Sequence, residues 1–172
     1  MIKSFLSTLF YCTVMYCSAL LISGCSVFSG SDEPEPTFIS TILTAGESAN
    51  PSKLSNANPV VIKLYQLNSI DTFKSAQVLD LYQQDTKILA DSLIKKKTLS
   101  SLVPKEKRNF NIELLSGTKY LAVFVQFSNY SQAKTRAWLD VSSLDDVKNV
   151  TISIDSLTVN MQSIPQESFW SW

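Results

Sequence analysis

The sequence predicts a mainly β domain, an antiparallel sandwich with one small helical insertion. Three observations carry this. About eight short runs from Thr37 onward alternate apolar and polar residues and are separated by turn-like breaks. Two runs, Val60–Leu67 and Tyr120–Phe127, are apolar on both faces, as strands central in a covered sheet should be. One interval, Asn68–Leu93, leaves the two-residue period for a helical one. The composition agrees with a packed core, since 45% of the 172 residues are hydrophobic and they include nine Phe, six Tyr and three Trp.

The chain begins with Lys3 and an apolar run, Phe5–Ile22, then Ser23-Gly24-Cys25 and a Ser-, Asp-, Glu- and Pro-rich stretch. This is the shape of a signal peptide over residues 1–24. The run is also near the lower limit for a single membrane-spanning anchor. Its ending separates the two readings. Ile22-Ser23-Gly24-Cys25 resembles the lipobox of bacterial lipoproteins, which implies that the Cys25 sulfur receives a diacylglyceryl group and becomes the first mature residue. A diacylglyceryl thioether with an N-acyl chain exceeds the two-signal threshold for stable membrane anchoring. Ser26, in place of the Asp that favours inner-membrane retention, implies the periplasmic face of the outer membrane.

Residues 25–36 form the lipidated cysteine and its tether, rich in acids and proline and without sustained apolar period. The sandwich is expected over 37–162. Its first strand is Thr37–Leu43, and a long polar loop follows before Val60–Leu67. The helical insertion, about 68–94, places Phe73, Ala76, Leu79 and Tyr82 near helical spacing, with Asp85 as an N-cap before Ile88, Leu89 and Leu93. Leu99–Val103, Phe110–Leu114, Tyr120–Phe127, Thr135–Val141, Val150–Ile154 and Leu157–Met161 are the remaining expected strands, and Ser116-Gly117 marks a turn. Residues 163–172 are an aromatic tail, with Phe169, Trp170 and Trp172 suited to a partner groove, a membrane interface or the chain's own sandwich.

Taken in order, these segments resemble the TssJ (SciN) outer-membrane lipoproteins of the type VI secretion system. Val60-Val-Ile-Lys-Leu-Tyr-Gln-Leu67 is similar to that family's V-x-V-R-V-Y-Q-L strand, and a helical stretch with Phe73 follows it. Leu102-Val-Pro-Lys-Glu106 resembles the L-x-P-G-E turn, with Lys105 in place of glycine. Arg136-Ala-Trp138 resembles a Trp-containing strand, with Leu139 where Arg is frequent. The resemblance spans roughly Thr37–Gln162. It implies a transthyretin-like sandwich that performs no chemistry, needs no cofactor and binds the periplasmic C-terminal region of a TssM-like inner-membrane subunit. The loop between the first two strands is then the docking element. Its expected contact residues are Glu47, Asn50, Lys53, Leu54 and Asn56.

That loop, Ala45–Asn58, spans fourteen residues, well beyond a tight hairpin, and loops of such length are usually functional. Leu54 is its one large apolar side chain, open to a partner pocket or to the protein's own core. Lys95, Lys96, Lys97, Lys105, Lys107 and Arg108 place six cations within fourteen residues, either a solvated rim or a face for anionic groups. Arg136 and Trp138 share a strand face and are expected to stack.

Several functions are disfavoured. The chain has no histidine, and its three cysteines end at Cys25, so imidazole or thiolate metal sites and Ser-His or Cys-His relays are excluded from the domain. Fifteen basic residues balance fifteen acidic ones, which leaves no field to recruit nucleic acid. Asp145-Asp146 are adjacent on a turn rather than facing across a cleft, unlike a glycosidase pair. A pilotin-like assembly lipoprotein remains the main structural alternative, and a ligand-binding or hydrolytic periplasmic lipoprotein fits less well.

Overall fold

A computed structural model of the chain describes residues 36–143 and 149–164. Cys25 with its tether, Asp145-Asp146 and the aromatic residues after Ile164 therefore lie outside the described residues. Strand β1 (Thr37–Ala45) is followed by β2 (Val60–Leu67), then by helices α1 (Asp71–Ser75), α2 (Val78–Gln83) and α3 (Asp85–Leu89) and a 3-10 turn, Ala90–Ser92. Strands β3 (Leu93–Leu102), β4 (Lys107–Leu114), β5 (Tyr120–Gln126), β6 (Arg136–Asp140), β7 (Asn149–Asp155) and β8 (Thr158–Ser163) complete the element order. Two four-stranded sheets result, β4-β1-β7-β8 and β3-β2-β5-β6.

Pairing is antiparallel with one exception. β1 and β7 run parallel, from Ser40 opposite Asn149 to Ala45 opposite Ile154. Alternation in β7 reveals which face is buried, and it carries no information about strand direction. Ile39 and Leu43 of β1 and Val150, Ile152 and Ile154 of β7 pack against Ile62 and Leu64 of β2 and Leu121, Val123 and Val125 of β5. The other face of the first sheet is wet, with Asn111 and Glu113 exposed.

The second sheet is covered twice, which explains its two unusually apolar strands. Tyr65, Leu67, Ala122 and Phe124 point away from the sandwich core and meet Phe73, Leu81 and Leu89 from the helices in a second cluster. Helices of five or six residues are marginal alone. Burying Phe73, Leu81 and Leu89 completely, at about 1.5–3 kcal/mol each, is what holds them. The expected stripe is corrected here. The chain breaks between α1 and α2 and again at Gln84, so Leu79 and Tyr82 remain partly exposed while Leu81 is buried. Asp85 is the first residue of α3 rather than its N-cap.

Gln66 fastens the sheets to each other. Its Nε2 donates to the Glu113 carbonyl at 2.7 Å, and its Oε1 accepts from the Leu115 amide and the Thr118 hydroxyl, both at 2.9 Å. At the opposite edge, the Lys134 amide donates to the Leu157 carbonyl and the Val159 amide donates to the Lys134 carbonyl.

Candidate functional site

The loop between β1 and β2 has a fixed base and a free tip. Ala49 is fully buried and belongs to the sandwich core. Asn50 is only 2% exposed and takes the left-handed conformation that asparagine tolerates, with φ 56°. Its Nδ2 donates to the Pro59 carbonyl at 2.8 Å and its Oδ1 accepts from the Ser128 amide at 2.7 Å. The Asn50 amide donates to the Ser156 carbonyl, and Asn58 Nδ2 donates to the Asn50 carbonyl. Gly46 passes so close to Asp155 that a Cβ there would collide with the carboxylate.

Beyond Pro51 the chain turns on Ser52, whose hydroxyl accepts from the Leu54 and Ser55 amides. Leu54 is 98% exposed, so it does not fold back onto the sandwich. Lys53 and Asn56 are exposed beside it. The five expected contact residues thus separate into groups. Lys53, Leu54 and Asn56 share the tip, and Glu47 lies at the rim paired with Lys105. Asn50 is buried, and its hydrogen bonds to the Pro59 carbonyl and the Ser128 amide occupy its side chain, so it braces the loop base from inside.

The turn joining β3 to β4 abuts this base. The Ala45 amide donates to the Glu106 carbonyl at 2.9 Å. The Glu106 carboxylate accepts from the Val103 amide and from Arg108, and these interactions hold it below its ordinary pKa. Lys105 takes φ 67°, the left-handed geometry that glycine adopts without strain.

A buried polar cluster lies under the helices. Asp85 pairs with Lys63 at 2.9 Å and Lys96 at 2.8 Å and accepts from the Tyr65 hydroxyl at 2.8 Å and the Thr86 amide at 2.7 Å. Burial pushes the Asp85 carboxyl upward, but hydrogen bonds from Lys96, Lys63 and Tyr65 and the Lys63 charge outweigh it and hold the group below the carboxylate range. Burial, followed by the bond to Asp85, raises the Tyr65 phenol. Lys63 also donates to the Leu81 and Tyr82 carbonyls, each at 3.0 Å. With its acceptor sites occupied and its charge compensated, Asp85 is a clamp between helix and sheet rather than a proton carrier. Sequence reading missed it, although a lysine inside the doubly apolar run Val60–Leu67 signals a buried counter-charge.

Arg136 and Trp138 share the outer face of β6 without stacking on each other. Arg136 donates to the Phe73 and Lys74 carbonyls at 2.7 and 3.0 Å, satisfying the end of α1. The cation over Trp138 is Lys74, 5.0 Å from the ring centre. Of the six clustered cations, Lys96, Lys105 and Arg108 are neutralised by Asp85, Glu47 and Glu106. Lys95 and Lys97 line an open cleft of about 250 Å³ between the sheet edges, with Glu113 its sole carboxylate. Among the described residues no group of three His, Cys, Asp or Glu side chains is placed to hold a metal ion.

Residues 37–157 match the family described as type VI secretion lipoprotein (VasD, EvfM, TssJ). Among solved structures, the fold is similar to the T6SS lipoprotein TssJ1 of Pseudomonas aeruginosa, with a TM-score of 0.68 and 23% identity over 76% of this chain and 98% of that one. It is also similar to Serratia marcescens Lip, a membrane-bound component of the type VI secretion system, with a TM-score of 0.67 and 17% identity over 76% and 99%. A chain of a type VI membrane complex matches with a TM-score of 0.64 and 24% identity over 75% and 98%. These likenesses establish the fold as the transthyretin-like sandwich of the TssJ structures. No curated protein matches closely enough to add a relative. With its family match running from the start of β1 to the turn before β8, the chain belongs to the type VI secretion lipoprotein family.

Proposed function

We propose that the chain is held at the periplasmic face of the outer membrane by lipid on Cys25 and docks, through the tip of the loop between β1 and β2, onto the periplasmic C-terminal region of a TssM-like inner-membrane subunit. It serves as a structural anchor of the secretion membrane complex and carries out no chemistry. The observation that carries this reading is Leu54, a large apolar side chain 98% exposed at the tip of a loop whose base is braced into the core. Such a residue gains most by entering a partner's pocket. Further support comes from a solved structure described as the TssM C-terminal domain from EAEC, a chain of which matches 74% of this one with a TM-score of 0.61.

The test is calorimetric titration of the chain against that periplasmic region. Exchanging Ser52–Asn56 for Gly and Ser, or Leu54→Ala alone, should weaken binding by about 2 kcal/mol, roughly thirtyfold. Unchanged affinity in both variants moves the contact off the loop.

A further inference from the structure

Along one side of the sandwich the two sheets part. β3 and β4 are edge strands of different sheets, and between them lies the open cleft of about 250 Å³ that holds Lys95 and Lys97. Two struts bound it. Arg108 reaches from β4 to donate to the Ser100 and Ser101 carbonyls of β3, at 3.1 and 3.3 Å. At the other end Gln66 holds the Glu113 carbonyl and the Leu115 amide. Arg108 and Glu113 stand five positions apart on β4, about 17 Å at 3.4 Å per residue, which leaves room for an extended segment of about five residues.

Register decides where the lysines point, because directly opposite residues of an antiparallel pair share a face. Lys97 lies opposite Leu64 and Lys95 opposite Gln66, whereas Lys96 lies opposite Tyr65. Leu64 belongs to the core between the sheets and Tyr65 to the cluster under the helices. Lys96 therefore meets Asp85, while Lys95 and Lys97 turn into the cleft without an ion-pair partner among the described residues. Leu64 and Ile112 give the cleft an apolar floor, and Phe38, 53% exposed, gives it an apolar lip.

We propose that this cleft is a second docking site and takes an extended segment of a partner protein that carries acidic side chains at i and i+2. Lysines two positions apart on a strand stand about 7 Å from each other on one face, the spacing of i and i+2 carboxylates in an adjoining strand. Edge strands on both sides offer backbone groups with which such a segment pairs. A small anion uses neither those groups nor the apolar floor, and Glu113 repels it. Among the described strands no two acids stand two residues apart, so a second copy of them cannot supply the pair. Glu33 and Glu35 have that spacing, but Pro34 and Pro36 lack the N–H donors that pairing with an edge requires. Phe38 and Ala45 are seven positions apart on β1, about 23 Å at 3.3 Å per residue, so the site is separate from the loop and does not rest on loop docking.

The test is an NMR titration of the isotope-labelled Cys25→Ser chain, from residue 25 onward, with a capped seven-residue peptide of threonine and valine that has glutamate at its third and fifth positions. Amide shifts should saturate and map to Lys95, Lys97, Asn111 and Glu113. A glutamine twin of the peptide should bind at least about tenfold more weakly, since it forms neither charge pair. Lys95→Glu/Lys97→Glu should melt as wild type does, lose the glutamate peptide and gain a lysine twin by a similar factor. Leu54→Ala should bind the peptide as tightly as wild type, which keeps this site and loop docking separable. Absence of a saturable shift at about 5 mM peptide overturns the inference. So does a glutamine twin that binds equally well, or an equal response of the same amides to inorganic phosphate, which would make the cleft a simple anion site. Shifts at these amides that follow protein concentration without peptide would give the cleft to a second copy and overturn it too. Glu33→Gln/Glu35→Gln should leave peptide affinity unchanged, and a rise of about tenfold would give the cleft to the chain's own acids instead.

Discussion

Two excursions interrupt the strands, the loop after β1 and the helical segment after β2, and they meet opposite fates. The helical segment buries Phe73, Leu81 and Leu89 and clamps Asp85 between two lysines. The loop buries Ala49 and Asn50 and leaves its one large apolar residue, Leu54, in solvent. An excursion becomes part of the body when it brings enough apolar surface to offset the ordering of its chain, at about 1–2 kcal/mol per residue. One that brings a methyl group and an amide is fixed at the base only, and its tip remains available for a partner.

The comparison breaks first at Asp85. Asp85→Ala leaves Lys63 without its counter-charge and should cost about 3–5 kcal/mol in denaturant unfolding. A cost below that of Asn50→Ala would mean the helices are held by apolar packing alone. Acid sharpens the point. Because the folded pKa of Asp85 is lowered, its contribution is complete above the ordinary carboxylate value near 3.9 and is lost as pH falls through the folded value. The stability gap between wild type and Asp85→Asn should therefore be constant near neutrality and narrow below about pH 4.

How far these differences were legible depends on what each residue answers to. Val60–Leu67 and Tyr120–Phe127 announced a doubly covered sheet, because burial on two faces leaves a mark in every residue. Phe73 was legible as a helix anchor for the same reason. Leu79 and Tyr82 misled, since a 3.6-residue period presumes one straight helix and the segment breaks twice. Asn50 could not be read as a brace, because its partners Pro59, Ser128 and Ser156 meet it only once β1, β2, β5 and β7 are in place. The parallel pairing of β1 and β7 was hidden in the same way. Leu54 was ambiguous because sequence cannot tell an apolar residue that returns to the core from one that does not.

The remaining expectations are smaller. Asn50→Ala removes the acceptor of the Ser128 amide and the buried side chain's bond to the Pro59 carbonyl and places alanine at positive φ, and should cost about 2–3 kcal/mol by thermal melting while leaving the helices intact. Lys105→Gly relieves a left-handed backbone and gives up only an exposed pair with Glu47, so stability should rise by up to about 1 kcal/mol. Smallest of all, Leu54→Ala should change stability by less than about 0.5 kcal/mol. A larger loss there would make the tip part of the body after all and erase the contrast between the two excursions.

The lysines of β3 bear on crowding. A ten-residue edge strand offers unpaired backbone groups along its length, and copies confined to one membrane leaflet would meet such edges far more often than in free solution. Lys95 and Lys97, which have no ion-pair partner among the described residues, place like charges along that edge in every copy. Neighbours brought side by side in two dimensions repel along β3 before their strands can zip together. A dense array of these domains can then assemble through chosen contacts without collapsing into a shared sheet.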